Sequence, residues 1–314
     1  MSIFVEVLQT SGGRTGHKLK DYLTAIIYFF LCNYKIILNE TWIFPENDHN
    51  NHLSMFNLID NGLVEQKPID YQNVDYSLSN WSGMDYNKYI EINEYLQSLK
   101  KNNDKYIILR LKDATRILLS DVYNWEKNNL IPFGKYESII NYLRHRYYLV
   151  NEKIELKNLA INIAIHIRKG DVYMRPLHQS VKYYENIIKQ LNTIKVNKII
   201  TIYSEKWENY DEIDVYELKY LQNEYTKINI IFSYCLYEYF SEILGNFIFV
   251  PTIGQGSFSD MIINYKSHNS LVIINYELRQ NKYIDNMNDK LFFTDNSGKF
   301  NINKLNTFLL SLMK

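Results

Sequence analysis

Short runs of apolar and β-branched residues recur along the second half of the chain and predict a series of strands. They lie at 161–167, 198–204, 228–233, 246–250 and 271–275. Stretches with helical periodicity separate or follow them at 180–194, 211–223, 234–244 and 257–267. Such alternation is typical of a doubly wound parallel sheet. Because these strands are apolar throughout, both faces of the sheet should be covered by helices.

The first half begins with the same pattern of strand, loop, helix and strand. The elements are predicted at 3–8, 11–16, 17–33 and 35–38, where the loop SGGRTG contains three of the glycines. Residues 45–85 are rich in Asn, Asp and Ser and predict irregular connections around short elements. Further elements are predicted as helices at 86–101, 134–149 and 303–313, and as a strand at 105–111.

Two consecutive α/β units predict an α/β protein with two Rossmann-like domains, 1–155 and 156–314, facing each other across a cleft. The chain has 314 residues, which is long enough for two domains. The charged run NEKIELKN at 151–158 is the predicted boundary. Ligands of such sheets bind at the carboxyl ends of the strands, so these ends are where a site is expected.

The overall charge favours no class of polyanionic partner. Lys plus Arg is 35 and Asp plus Glu is 35, so a nucleic-acid partner is not expected and any anion site must come from a local cluster. Cys32 and Cys235 are far apart among apolar neighbours, which favours two small buried side chains over a disulfide or a zinc site.

The most apolar segment, residues 22–38, predicts a buried helix that runs into a strand. It contains Asn33 and Lys35 and is shorter than the ~20 apolar residues of a membrane span. The opening MSIFVEVLQT lacks the basic and apolar pattern of a secretory signal. We therefore expect a cytoplasmic or otherwise soluble protein without a membrane span.

Charge appears abruptly where the strand at 161–167 ends, in His166, Arg168, Lys169 and Asp171. The planar guanidinium of Arg168 suits phosphate oxygens, and Gly170 permits a tight turn. By themselves these residues are equally compatible with a solvated loop that contains an Arg–Asp ion pair.

Two other strand ends carry glycine and serine. After 246–250, Gly254 and Gly256 lead to Ser257 and Ser259 at the start of a predicted helix, which suits a phosphate, although an ordinary serine cap would have the same sequence. The loop is neither a Walker loop nor a full dinucleotide fingerprint. After 198–204, Ser204 or Glu205 would cap the next helix.

The chain contains no Asp-x-Asp sequence, the usual carboxylate pair for a metal on a nucleotide diphosphate, so no metal or other cofactor is expected. No GxSxG nucleophile motif occurs either.

The segment IHIRKGD resembles the His-x-Arg-Arg/Lys-Gly-Asp signature of GDP-fucose-dependent fucosyltransferases, most closely the α1,2-fucosyltransferases of glycosyltransferase family 11. More distantly it resembles the α1,6- and protein O-fucosyltransferases. Other segments resemble further motifs of the family in the same order, namely SGGRTGHKLKDYL, His178 with Tyr183-Tyr184, IYSEKWE and GSFSDMI. Lys169 stands where the second Arg is usual, and Arg14 and His17 depart from the N-terminal motif.

The resemblance implies a GT-B fold and inverting, metal-independent transfer of fucose from GDP-fucose to a glycan hydroxyl. It implies that the C-terminal domain binds the nucleotide sugar and the N-terminal domain faces the acceptor. Arg168 would bind the β-phosphate, aided by Lys169. The other residues that it places on the GDP-sugar are His166, Glu238, Ser257, Phe258 and Ser259.

The same resemblance suggests Asp171 and His178 as candidates for the catalytic base, although Asp171 could equally hold the loop in place. Gly13, Arg14 and His17 would belong to the N-terminal loop. Two other interpretations stay open: a GT-B transferase with another nucleotide sugar, and a relative that binds nucleotide or glycan without catalysis.

Overall fold

The computed structural model describes a little over two thirds of the chain and divides it into two compact units. The described residues are 2–8, 15–37, 65–77, 84–102, 105–112, 116–150, 160–168, 180–205, 212–225, 228–233, 236–252, 257–266, 270–275 and 290–312. Unit 1 comprises Met1–Glu152 and unit 2 comprises Lys153–Lys314. Within the described ranges, no helix has both the length and the apolar character that crossing a bilayer requires.

Unit 1 is a parallel sheet combined with helices. Its described elements are β1 (Ile3–Val7), α1 (Thr15–Cys32), β2 (Lys35–Ile37), β3 (Tyr71–Ser77), α2 (Tyr86–Lys101), β4 (Tyr106–Lys112), α3 (Leu119–Lys127) and α4 (Lys135–Val150). The strand order is β2-β1-β4-β3, and every pairing is parallel.

The helices of unit 1 follow from local sequence chemistry. Residues 22–28 of α1 are all buried, which explains why this segment is apolar around its whole circumference. Helix α2 begins after Asp85, whose side chain accepts the Lys88 amide at 2.8 Å as an N-cap. It buries the stripe formed by Tyr89, Ile92 and Leu96, spaced three and four residues apart.

Unit 2 has a larger parallel sheet. Its described elements are β5 (Ile161–His166), α5 (Val181–Asn192), β6 (Lys198–Glu205), α6 (Glu212–Glu224), β7 (Ile228–Ser233), a 3-10 helix (Leu236–Tyr239), α7 (Phe240–Gly245), β8 (Ile248–Val250), α8 (Ser257–Tyr265), β9 (Leu271–Asn275), β10 (Leu291–Thr294) and α9 (Ile302–Leu312). The strand order is β10-β9-β8-β5-β6-β7. The central strands β8 and β9 are buried at every position, as their continuous apolar sequences predict.

The predicted two-domain α/β fold with parallel sheets is confirmed, and two local predictions are wrong. Residues 71–77, within the segment predicted as irregular connections around short elements, form edge strand β3. The single helix predicted at 234–244 is divided into the 3-10 helix and α7. Cys32, the last residue of α1, is only partly buried, and its Sγ lies 2.9 Å from the Tyr89 hydroxyl. Cys235 lies outside the described residues.

Candidate functional site

The strand order of unit 2 reverses direction between β5 and β8. From β5 the chain adds β6 and β7 on one side, and β8, β9 and β10 continue on the other. The carboxyl ends of the two strands that flank such a reversal leave a crevice between the loops, and ligands of doubly wound sheets bind there. A ligand site is therefore expected at the residues that follow β5 and β8.

Side chains and backbone from both neighbouring strands fix the backbone that leaves β5. The Ile167 amide donates to the Tyr203 carbonyl at 3.0 Å, and the Ser204 hydroxyl donates to the Ile167 carbonyl at 2.8 Å. On the other side, the Arg168 amide donates to Thr252 Oγ1 at 3.1 Å. The predicted capping role of Ser204 is wrong, because Ser204 lies inside β6 and α6 begins only at Glu212.

The last residue of β5 contacts the first turn of α8. Nδ1 of His166 lies 2.7 Å from Oγ of Ser259, and both residues are 2% exposed. The Phe258 ring packs edge-on against the imidazole, with the ring centroids 5.1 Å apart. Two residues that are 93 positions apart in the sequence thus meet where β5 ends and α8 begins.

Burial keeps the imidazole of His166 neutral. Removal from water lowers its pKa from 6.5 to about 3, and the nearby positive charge of Arg168 contributes in the same direction. At neutral pH the ring therefore acts as a hydrogen-bonding group and carries no charge. The cationic character of this strand end comes from the Arg168 guanidinium.

Thr252 joins the two halves of this cluster, and the sequence reasoning did not select it. Its amide donates to Ser259 Oγ at 3.1 Å, while its hydroxyl oxygen accepts the Arg168 amide. The Tyr184 hydroxyl lies 3.4 Å from the same oxygen. A threonine two residues beyond a short strand carries no pattern of its own, so only the adjacency of β5 and β8 reveals this role.

Tyr183 and Tyr184 attach helix α5 to the carboxyl edge of the sheet. Tyr183 reaches Thr294 at the end of β10, with the two hydroxyl oxygens 2.7 Å apart, and Tyr184 reaches Thr252 beyond β8. The two rings also pack edge-on, with centroids 5.1 Å apart. The Tyr-Tyr pair therefore holds α5 beside two strand ends, which gives it a structural purpose in the cluster.

Helix α8 begins at Ser257, where the sequence predicts it, and its first turn lies beside the end of β5. The first N–H groups of a helix lack intrahelical acceptors and carry the positive end of the helix dipole. Guanidinium groups and the backbone donors of a helix start are the groups that suit a phosphate or diphosphate.

The described residues include only part of the predicted site. His166, Arg168, Phe258 and Ser259 come together as one cluster. For Ser257, Glu238 and His17 the structure describes the backbone alone, in α8, the 3-10 helix and α1. The other predicted residues lie outside the described ranges: Gly13, Arg14, Lys169, Asp171 and His178.

Comparison with known proteins gives only distant structural likenesses. No protein-family model matches the chain, and no curated protein sequence matches it. A structure of POFUT1 in complex with GDP is 11% identical, covers 84% of this chain and 95% of its own, and has a TM-score of 0.43. NodZ alpha-1,6-fucosyltransferase co-crystallised with GDP is 9% identical, with 96% and 97% covered and a TM-score of 0.43.

Heptosyltransferase WaaC of E. coli with ADP is 10% identical, with 99% of this chain and 98% of its own covered and a TM-score of 0.40.

Proposed function

We propose that this protein is an inverting glycosyltransferase that moves fucose from GDP-fucose to a hydroxyl group of a glycan acceptor, with α1,2 linkage. Unit 2 binds the nucleotide sugar and unit 1 binds the acceptor. GDP-fucose is a substrate, and the reaction uses no metal ion or other cofactor.

The observation that carries this proposal is the convergence of two family-like motifs at the switch point of unit 2. IHIRKGD supplies His166 and Arg168, and GSFSDMI supplies Phe258 and Ser259. The contact between His166 and Ser259, at 2.7 Å, brings the two motifs side by side. In a doubly wound sheet this edge is where a nucleotide binds, so motif, topology and chemistry support the same ligand.

Arg168 has the role of stabilising the leaving group. Negative charge grows on the β-phosphate as the bond from fucose to GDP breaks, and a fixed guanidinium lowers the free energy of that state. Lys169 adds a less directional charge. The first turn of α8, from Ser257, binds the diphosphate, and Glu238 reads the guanine edge.

Inversion requires the acceptor hydroxyl to attack from the face opposite GDP, and a base assists this step. The properties of His166 argue against it as that base. Its pKa of about 3 makes it a weak proton acceptor at neutral pH, and Ser259 occupies its Nδ1. Asp171 and His178 are therefore the candidates, and His166 binds substrate.

The decisive experiment measures transfer and GDP binding in the same preparation. Wild-type protein should bind GDP and transfer fucose from GDP-fucose to a glycan acceptor, whereas GDP-mannose and UDP-sugars should be poor donors. Arg168→Ala should abolish transfer and weaken GDP binding, while the matched control Arg144→Ala, on α4 of unit 1, should behave as wild type.

Each alternative has its own outcome in that experiment. Turnover with another nucleotide sugar but not with GDP-fucose would show that GDP-fucose is not the donor substrate and would identify the sugar nucleotide that is. GDP binding without transfer or hydrolysis of GDP-fucose would indicate a non-catalytic relative. Added chelator should leave the rate unchanged, and a strict requirement for Mn²⁺ would contradict the metal-independent mechanism.

A further inference from the structure

Thr252 lies where three hydrogen-bonded groups of the candidate site meet. Its hydroxyl oxygen is 3.1 Å from the Arg168 amide nitrogen and 3.4 Å from the Tyr184 hydroxyl, and its own amide is 3.1 Å from Ser259 Oγ. Thr252 is 9% exposed, so water competes poorly for these hydrogen bonds. No motif and no predicted role pointed to this position.

We propose that Thr252 is a positioning residue that holds Arg168 in register for the diphosphate, within a network that places the proton of His166 on Nε2. This inference rests on the proposed function, since it explains how the donor site is kept in its binding geometry.

The first part follows from how the sheet ends. The described pairing of β5 with β8 ends at Ile165 and Val250, so the backbone beyond it has no further ladder bond to β8. The Thr252 hydroxyl supplies the missing acceptor for the Arg168 amide. The direction of a side chain depends on the orientation of its own backbone. Loss of this bond would therefore leave the Arg168 guanidinium less well positioned to contact the diphosphate.

The second part follows from counting hydrogens on Ser259. A serine hydroxyl has one hydrogen to donate and two lone pairs. The Thr252 amide is an obligatory donor, so it occupies one lone pair of Oγ. Among the described residues, the remaining short contact of Oγ is Nδ1 of His166 at 2.7 Å. The hydroxyl hydrogen is satisfied when it points to an unprotonated Nδ1, which leaves the ring proton on Nε2.

This arrangement presents a neutral N–H donor beside a permanent cation. A neutral donor can bind an uncharged oxygen, such as a ribose hydroxyl, or a phosphate oxygen without adding a second positive charge. The low pKa of the imidazole keeps that donor unchanged across the physiological pH range. The network therefore offers the ligand one charged donor, the Arg168 guanidinium, and one neutral donor, Nε2–H of His166.

The hydroxyl of Thr252 is tested by Thr252→Val, which keeps the shape but removes the acceptor. Thr252→Val should weaken GDP binding by about tenfold and lower the rate of transfer, as expected for loss of a hydrogen bond that orders a charged group. Thr252→Ser keeps the hydroxyl and should have GDP affinity and a transfer rate close to those of the wild type. The matched control Thr193→Val removes an exposed hydroxyl at the end of α5, outside the cluster, and should leave both at the wild-type level.

The results separate this inference from the proposed function. Suppose that Arg168→Ala no longer binds GDP, whereas folded Thr252→Val binds GDP with wild-type affinity. The positioning role of Thr252 is then wrong, and the proposed GDP-binding site is retained. Failure of Thr252→Ser to rescue would also overturn the role of the hydroxyl. If wild-type protein does not bind GDP at all, the proposed function fails first.

The proton position is measured directly by ¹⁵N NMR of protein with labelled histidine, and His166→Gln identifies the signal among the seven histidines. The wild-type ring should have its hydrogen on Nε2, and Thr252→Val should leave it there, because the backbone amide persists. Ser259→Ala should remove the preference. A proton on Nδ1 in the wild type would overturn this part of the inference.

Discussion

Oγ of Ser259 lies 2.7 Å from Nδ1 of His166, and this contact connects the first turn of α8 to the last residue of β5. The same oxygen accepts the Thr252 amide, so one serine satisfies two buried polar groups. Hydrogen bonds of this kind contribute modestly when they are made but are costly to lose, because the orphaned partners stay buried.

Replacement of Ser259 should therefore affect stability as well as binding. Ser259→Ala leaves the Thr252 amide and Nδ1 of His166 without this oxygen, and the free energy of unfolding should fall by about 1–3 kcal/mol. Urea denaturation measures this change. Ser98→Ala, which removes an exposed hydroxyl on α2, is the matched control and should stay within about 0.5 kcal/mol of wild type. Equal stability of the two variants would contradict the importance of the contact.

Glu185 on α5 should stabilise the protein in a pH-dependent way. Its carboxylate lies 2.7 Å from the amines of both Lys182 and Lys189, and these two bonds lower its pKa to about 2. In the unfolded chain the value is about 4.3. The contribution is therefore fully present above pH ~4.3 and is lost as the pH falls toward 2.

Glu185→Gln should lower the free energy of unfolding at pH 7 by roughly 1 kcal/mol, since the lysine partners are half exposed and solvent screens them. Unfolding measured from pH 7 to pH 2 should show this difference shrinking as the pH falls. Glu91→Gln breaks the exposed pair with Lys88 and should have a smaller effect. A difference that grew toward low pH would contradict the direction of the pKa shift.

Lys266 follows α8 and is fully buried at the carboxyl end of α7. Its Nζ donates to the Leu244 carbonyl at 3.1 Å and to the Asn246 carbonyl, which satisfies groups that the end of a helix leaves open. Burial lowers its pKa to about 7, compared with about 10.4 in the unfolded chain.

Because the folded state then binds fewer protons between pH 7 and pH 10, stability should rise with pH in this window, by at most about 1.4 kcal/mol per pH unit. Lys266→Met should remove this component of the slope, which denaturant unfolding at several pH values measures. The control Lys219→Met, at an exposed position of α6, should retain it. A wild-type slope in Lys266→Met would show that the amine is not the titrating group.

Unit 1 contains a row of charges across three adjacent strands. The pairing register places Glu6 of β1 and Asp75 of β3 on either side of Arg110 of β4. Nε of Arg110 lies 3.3 Å from the buried carboxylate of Glu6, although neither Nε nor Oε2 forms a well-aligned hydrogen bond.

Arg110→Met should destabilise the protein by up to about 3 kcal/mol, because it leaves the buried Glu6 carboxylate with the more distant Lys67, whose Nζ is 4.0 Å away, as its counter-charge. The double variant with Glu6→Leu should recover most of this loss, since two apolar side chains need no partner. A double-mutant cycle by urea denaturation measures the coupling. Additive losses in the two single variants would contradict a direct interaction.

The alternation of strands and helices made the fold predictable, and edge position explains why β3 was not predicted as a strand. Central strands such as β8 and β9 are buried on both faces, so their apolar sequences identify them. Strand β3 is an edge strand with the sequence YQNVDYS and alternates intermediate with exposed positions. An edge strand does not require a continuous apolar run, and its polar residues resemble a loop.

The candidate site was predictable only where its residues form a pattern along the chain. Arg168 follows an apolar strand, and Ser259 follows a glycine-rich segment, so both stood out in the sequence. Thr252 has neither signal, because its role arises from the adjacency of β5 and β8, which brings it to Arg168, 84 positions earlier in the chain. Pairing between distant strands is a property of the fold that local sequence does not specify.

The most direct test of the account is a crystal structure of the protein with GDP bound. We expect the β-phosphate within hydrogen-bonding distance of the Arg168 guanidinium, the diphosphate at the first turn of α8, and His166 in contact with the nucleotide through Nε2. GDP bound elsewhere in unit 2, or bound with the Arg168 side chain directed away from the diphosphate, would contradict the central claim.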